Sequence, residues 1–199
     1  MRKIEIGVFK FDELDKKVQT KVLDKFRENE TLDFLYDDLN EQLKEELKEN
    51  NIEEIKDCKL LYDLSYSQGS GLCFEGLFKW KYLSKEYSVR IMNNGRYNHN
   101  RSCYISIRIL TDDIEDNINE ASDEILETFK ALFYKITKKL EETGREEIEY
   151  QDKDETIIEN IKANDYEFYA DGRIYQGKES QRITVSWLFN RRGYRSAND

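Results

Sequence analysis

The 199-residue chain reads as an α+β protein: an antiparallel meander of about five strands with amphipathic helices packed on one face. Three observations predict this. Runs with apolar side chains at every second position cluster in the middle of the chain, runs with the helical repeat of about 3.6 flank them, and the links between strands are too short for helical crossovers. The chain contains no proline to mark a rigid boundary. One domain over 1–175 is therefore expected, with 176–199 as a C-terminal extension that adds a strand and then a loose tail.

Lys3–Phe9 alternates Ile4, Ile6 and Val8 with polar neighbours and is expected as a strand. Asp12 is placed to cap a helix whose Leu14, Val18, Val22 and Phe26 recur every four residues. Thr31 is the expected cap of a second helix, in which Leu32, Leu35, Leu39, Leu43 and Leu47 repeat at spacings of three and four until Asn50-Asn51 ends it. Four strands follow, at 59–66, 72–82, 86–92 and 102–110. Phe74, Phe78, Trp80 and Tyr82 share one parity, as do Cys103, Ile105, Ile107 and Ile109, which marks a sheet with one buried face. Gly69, Gly71 and Asn94-Gly95 supply the turns. A third helix over 118–143 carries Ile125, Phe129, Leu132, Phe133, Ile136 and Leu140 on one flank, with Lys135, Lys138 and Lys139 late, and Gly144 is expected to end it. A short helix over 154–163 precedes a hairpin at 166–175, whose Asp171-Gly172 suits a tight turn. Gln181–Phe189 is the expected added strand and Arg191–Asp199 the tail.

Thirteen tyrosines and ten phenylalanines supply enough apolar surface for a packed core, and the charged fraction of 37% favours solubility. No apolar run approaches the length of a membrane span and no leader is visible, so the cytosol is the expected compartment. Cys58, Cys73 and Cys103 are an odd number at wide spacing beside a lone histidine, which fits reduced thiols; no metal and no cofactor is expected. The net charge of −10 is unevenly spread. Residues 112–160 hold 17 acidic and 6 basic residues, a net of −11, whereas 79–108 holds seven basic residues against Glu86 alone. An acidic surface that steers the protein onto a cationic groove competes here with the plainer reading of solvated helix faces.

In Ser67-Gln68-Gly69-Ser70-Gly71, two glycines allow backbone amides to converge as in an anion nest. The Gly-Lys-Ser/Thr ending and following helix of a phosphate-binding P-loop are missing, so a wide hairpin turn is the plainer reading, ahead of a contact loop for a macromolecular partner and of a small-anion site. Gly71 is expected to resist a larger residue. Glu75 lies next to Cys73 by strand parity, but a nucleophilic thiol needs a base, and the lone His99 sits in a polar loop. The carboxylate pairs Asp112-Asp113, Glu146-Glu147 and Asp152-Lys153-Asp154 occur in charge-rich stretches without an apolar pocket, so no enzyme is expected. Arg90, Tyr104 and Arg108 fall on outward parities, and Arg96, Tyr97 and Arg101 lie in the loop between their strands, a pattern that suits single-stranded nucleic acid.

The stretch Ser67 to Gly76, with Phe11-Asp12-Glu13-Leu14 and Asn164 to Phe168 continuing through Asp171-Gly172-Arg173, resembles a diffuse family of small acidic proteins encoded by phages and prophages, some described as antitoxin-like. The resemblance covers 1–82 and 120–175. It implies a phage genomic context; with acidic helices and no catalytic constellation, the expected function is a non-enzymatic binding protein that antagonises a bacterial host factor, with CRISPR effectors and other antiviral defence proteins, ribonucleoproteins among them, as the expected target class. Ser67, Gln68, Gly69, Ser70, Gly71, Glu75, Glu141, Glu142, Glu146 and Glu147 are then the partner-binding candidates. The alternatives are an antitoxin-like partner that neutralises a toxin, and a nucleotide or RNA binder using the 67–71 loop with Arg90, Arg96, Tyr97, Arg101, Tyr104 and Arg108.

Overall fold

The computed structural model describes residues 7–29, 32–110 and 120–176. In chain order its elements are α1 (Lys16–Asn29), α2 (Asp33–Glu49), β1 (Ile52–Asp63), β2 (Gly71–Tyr82), β3 (Lys85–Asn93), β4 (Cys103–Ile109), α3 (Asp123–Gln151) and α4 (Asp154–Ala163). They fall into two compact units, 31–149 and the pair of segments 1–30 with 150–199.

The larger unit holds the expected α+β core. Its sheet is an antiparallel meander in the order β1-β2-β3-β4, four strands among the described residues rather than about five. Of the other expected strands, 181–189 and most of 3–9 lie outside the described residues, and Phe9 makes only an isolated bridge to Phe168. The alternating faces of β2, β3 and β4 are as the parity requires. Phe78, Val89 and Ile107 are register partners and buried, while their neighbours Lys79, Ser88 and Arg108 also align and point away from the core. Leu35, Leu39, Leu43 and Leu47 of α2, and Phe129, Phe133, Ile136 and Leu140 of α3, pack with that buried face. Trp80 stands edge-on to Phe129 at 5.0 Å and Phe74 edge-on to Phe133 at 4.9 Å, contacts each worth about 0.5–1.5 kcal/mol beyond their area.

Three boundaries differ from expectation, each for a local reason. β1 begins at Ile52, not at Lys59, because register shifts between Glu54 and Lys59, with Asp57 at φ +56°, bulge the strand and scramble its period of two. α3 runs past Gly144 to Gln151. Gly144 is a packing notch instead of a cap: a Cβ there would stand 2.5 Å from Leu64 Cδ1 and 3.2 Å from Leu39 Cδ1. The β2–β3 turn is Leu83-Ser84, with φ of +46° and +62°, so a two-residue left-handed turn forms without the usual glycine or asparagine.

In the smaller unit, Val22 and Leu23 of α1 and Ile157 and Ile161 of α4 bury against Phe11, Leu14 and Phe168. The first helix is opened by Asp15, whose Oδ1 accepts the Lys17 amide at 3.0 Å; the expected cap, Asp12, lies in the preceding 3-10 turn Phe11–Glu13. The second helix starts at Asp33 after Leu32, and Thr31 is outside the described residues. Asp171-Gly172 does form a tight turn, with Tyr169 N–H donating to Arg173 O at 2.8 Å and Gly172 N–H to Tyr169 O at 2.9 Å.

Candidate interaction faces

The 64–71 connection between β1 and β2 is held down by α3. Arg145 donates to Leu64 O at 2.9 Å and to Glu141 Oε1 at 2.8 Å, reaches Ser70 Oγ at 3.5 Å, and lies 4.8 Å over the Tyr66 ring. The Tyr66 hydroxyl in turn donates to Glu149 at 2.6 Å. The far side of the loop is filled by the 94–102 segment. A Cβ on Gly69 would fall 2.2 Å from the Tyr97 ring, and one on Gly71 would fall 2.6 Å from His99 Cβ and 2.9 Å from its Cα. Gly71 therefore resists a side chain through close approach to His99; its φ of +158° is nearly extended. Within the loop the Ser70 amide is spent on Ser67 O at 3.1 Å. Ser67 and Gln68 are exposed at its tip, Gly69 and Ser70 are half-buried and Gly71 is buried.

Beneath this loop, Glu75 accepts from the Asn93 amide at 3.2 Å, and Asn93 Nδ2 donates to Cys73 Sγ at 3.1 Å. The Cys103 thiol beside Cys73 holds it below the ordinary thiol range against the opposing effect of burial, with Asn93 assisting, and Cys103 is itself pushed up by that contact. Cys73 is fully buried. His99 stacks on Tyr97 at 5.6 Å and shares a hydrogen bond with Ser102 Oγ at 3.2 Å. The imidazole is thus engaged by Tyr97 and Ser102.

The four candidate glutamates of α3 do not share a face, since at about 100° per residue 141, 142, 146 and 147 spread around the helix. Glu141 is half-buried on Arg145, Glu142 pairs with Lys138 at 3.5 Å, and Glu142 and Glu146 point to solvent. A more regular acidic feature stands on α2. Asp33, Asp37, Glu41, Glu45 and Glu49 follow one another at intervals of four, all exposed, with no ion pair among the described residues. At 1.5 Å per residue the row is about 24 Å long. Its spacing is visible in the sequence, where the leucine repeat on the opposite side of the helix draws the eye.

The sheet face turned away from the helices carries the opposite charge. Leu77, Arg90 and Ser106 are register partners, as are Lys79, Ser88 and Arg108, and Met92 pairs with Tyr104. Lys79 and Lys81 both hold Glu86, at 2.5 and 3.4 Å. Arg90 and Arg108 are exposed and make no hydrogen bond or ion pair among the described residues, and Tyr104 is 64% exposed. Three of the six nucleic-acid candidates, Arg90, Tyr104 and Arg108, therefore meet on one face. The other three lie in the 94–102 segment: Tyr97 is half-buried against Gly69, Arg96 sits 5.0 Å over the Tyr97 ring, and Arg101 is exposed in the 3-10 turn Asn100–Ser102.

Among the described residues no group of histidine, cysteine and carboxylate side chains is arranged to hold a metal ion, and no helix is long and apolar enough to cross a membrane. No protein-family model matches the chain, and neither does any curated protein or solved structure.

Proposed function

We propose that this protein acts by binding and not by catalysis, and that it antagonises a nucleic-acid-handling protein of a bacterial host by laying the acidic row of α2 into a cationic groove. The genomic context comes from the resemblance to phage and prophage proteins; the physical support is the row itself. Asp33, Asp37, Glu41, Glu45 and Glu49 form four successive like-charge pairs, each unfavourable in a helix by about 0.2–0.5 kcal/mol, or about 1–2 kcal/mol together. A helix that served only to cover the sheet would do better with lysine at alternate positions of the row. Lys139, held on Glu46, offsets the row in part at Glu45 and Glu49; an external partner that supplies further positive charge accounts for its retention, because exposed complementary charges accelerate association and select the partner.

Capture from a bacterial lysate on the immobilised chain, followed by mass spectrometry and nucleic-acid extraction, tests the reading. A defence effector or another nucleic-acid-handling protein supports it, a small toxin favours the antitoxin-like alternative, and nucleotides alone refute both. With the partner in hand, Asp37→Lys with Glu45→Lys is expected to slow association at least tenfold and flatten its salt dependence. The same change should leave the helix as stable or more so. An association rate within about a factor of two of the parent chain would refute the role of α2.

A further inference from the structure

We infer that the face of the β1–β4 sheet left uncovered by the described residues is a binding surface for single-stranded nucleic acid, a site that does not depend on the acidic row of α2. Arg108 pairs across the ladder with Ser88 and Arg90 with Ser106, so the two guanidiniums are diagonal neighbours on adjacent strands. Tyr104 is diagonal to Arg90 in turn, beside its partner Met92. Such diagonals are about 7–8 Å apart between backbones, within reach of long and aromatic side chains. Arg108, Arg90 and Tyr104 thus form a line of two cations and a ring, able to take successive phosphates and a stacked base.

Charge selects the occupant. Outward positions of the four strands include Lys59, Lys79, Lys81, Arg90 and Arg108 against Glu53, Glu75 and Glu86. Glu86 is taken by the two lysines; Glu75, which accepts from the Asn93 amide, is diagonal to Arg90 and Glu120 stands opposite Arg108, but neither carboxylate forms an ion pair with an arginine among the described residues. Among the described residues, the large apolar side chains exposed on the strands and at their ends are Ile55, Leu83, Met92, Tyr104 and Leu110, of which only Met92 and Tyr104 are register partners, too little for a stable protein interface of ordinary composition. An open sheet offers no enclosed cradle for a free nucleotide, and reading a duplex requires an element that enters a groove. The helix layer lies about 10 Å behind the sheet, comparable to the Debye length at moderate salt, so the acidic helices weaken the attraction without abolishing it.

Fluorescence anisotropy of the full chain with labelled oligouridine, oligothymidine and a DNA duplex tests the inference. Single strands should bind at low micromolar concentration and the duplex more weakly. With two or three phosphates neutralised, raising salt from about 50 to 200 mM should weaken binding roughly 7- to 20-fold. Arg90→Ala with Arg108→Ala should lower affinity at least tenfold and flatten the salt slope, whereas Tyr104→Ala should lower it at least fivefold at an unchanged slope. Ser106→Glu, a charge placed between the arginines without removing either, gives an independent loss of at least tenfold. Asp37→Lys with Glu45→Lys should leave the affinity unchanged or raised, which separates this site from the reading of α2. Absence of binding at low salt, equal affinity for duplex, or affinity that survives the substitutions in a chain with an unaltered circular dichroism spectrum would each overturn it.

Discussion

Replacing Gly76 with alanine is the sharpest perturbation the fold offers, because the bulge of β1 and the backbone of β2 meet at that point. Gly76 has φ +143°, and an added Cβ would stand 2.9 Å from Cys58 Cα, 2.9 Å from Cys58 Sγ and 3.1 Å from Asp57 O. Two of those atoms are backbone, so no rotamer change relieves the contact. The strand would have to move where Asp57 already holds φ +56°. Backbone strain of about 1–3 kcal/mol adds to an overpacking cost of about 1–3 kcal/mol, a loss of about 2–6 kcal/mol in all. At about 2–4 °C per kcal/mol for a chain of this size, the melting temperature should fall by roughly 4–24 °C. Gly95 is the control: its φ is +75° but nothing lies within 4 Å of its Cβ position, so alanine there meets only the left-handed penalty of about 1–2 kcal/mol. Urea unfolding followed by far-ultraviolet circular dichroism and tyrosine–tryptophan fluorescence would measure both variants. If Gly76→Ala destabilised no more than Gly95→Ala, the close approach of β1 and β2 would have been overvalued and the reasoning refuted.

Arg145→Met should cost about 1–3 kcal/mol, since it leaves Leu64 O and the half-buried Glu141 without their donor; a thermal shift of less than about 1 °C would mean that water replaces the guanidinium fully. Asp63 is held below the usual carboxylate range by the Ser65 hydroxyl and amide. Its contribution is therefore present above the unfolded value near pH 4 and disappears as pH falls through the lower folded value. Asp63→Asn should flatten the acid limb of a plot of urea midpoint against pH, and a limb of unchanged slope would count against this assignment. Burial pushes the Cys58 thiol up, contact with Cys73 does the same to Cys103, and Cys73 itself is fully buried. All three should resist iodoacetamide near neutral pH and react in urea, and fast native alkylation of Cys73 would show that the 94–102 segment opens readily.

Residues whose environment is set by their own strand or helix were legible in the sequence. Phe78, Val89 and Ile107 alternate because one sheet face is buried, and the range 154–163 of α4 shows in its own spacing. Positions decided by a distant neighbour were not. Gly144 has the composition of a helix end and becomes a notch only once Leu64 and Leu39 are set against it. Glu141 counts as surface charge until Arg145 joins it to the β1–β2 connection. The meeting of Arg90, Tyr104 and Arg108 on an outer face follows from parity alone, whereas the filling of the glycine loop by Tyr97 and His99 depends on a contact between segments about 30 residues apart, which no local pattern encodes.

The bulge that obscured β1 in the sequence also bears on how the protein behaves at high concentration. β1 is an outer strand of its sheet, and an outer strand with regular, unpaired amides is a template on which a second copy of the chain can polymerise. Here the ladder is broken twice between Glu54 and Lys59, Asp57 turns the backbone aside, and Glu53, Glu54, Lys56 and Lys59 project as exposed charges. An incoming strand would have to match two irregular steps and set aside four hydrated groups before gaining a continuous run of hydrogen bonds. The opposite margin is partly occupied as well, since the Ala121 amide donates to Ile107 O at 3.1 Å and Glu120 bridges Arg108. Among the described residues, both margins of the sheet therefore present a poor template for sideways growth into fibrils.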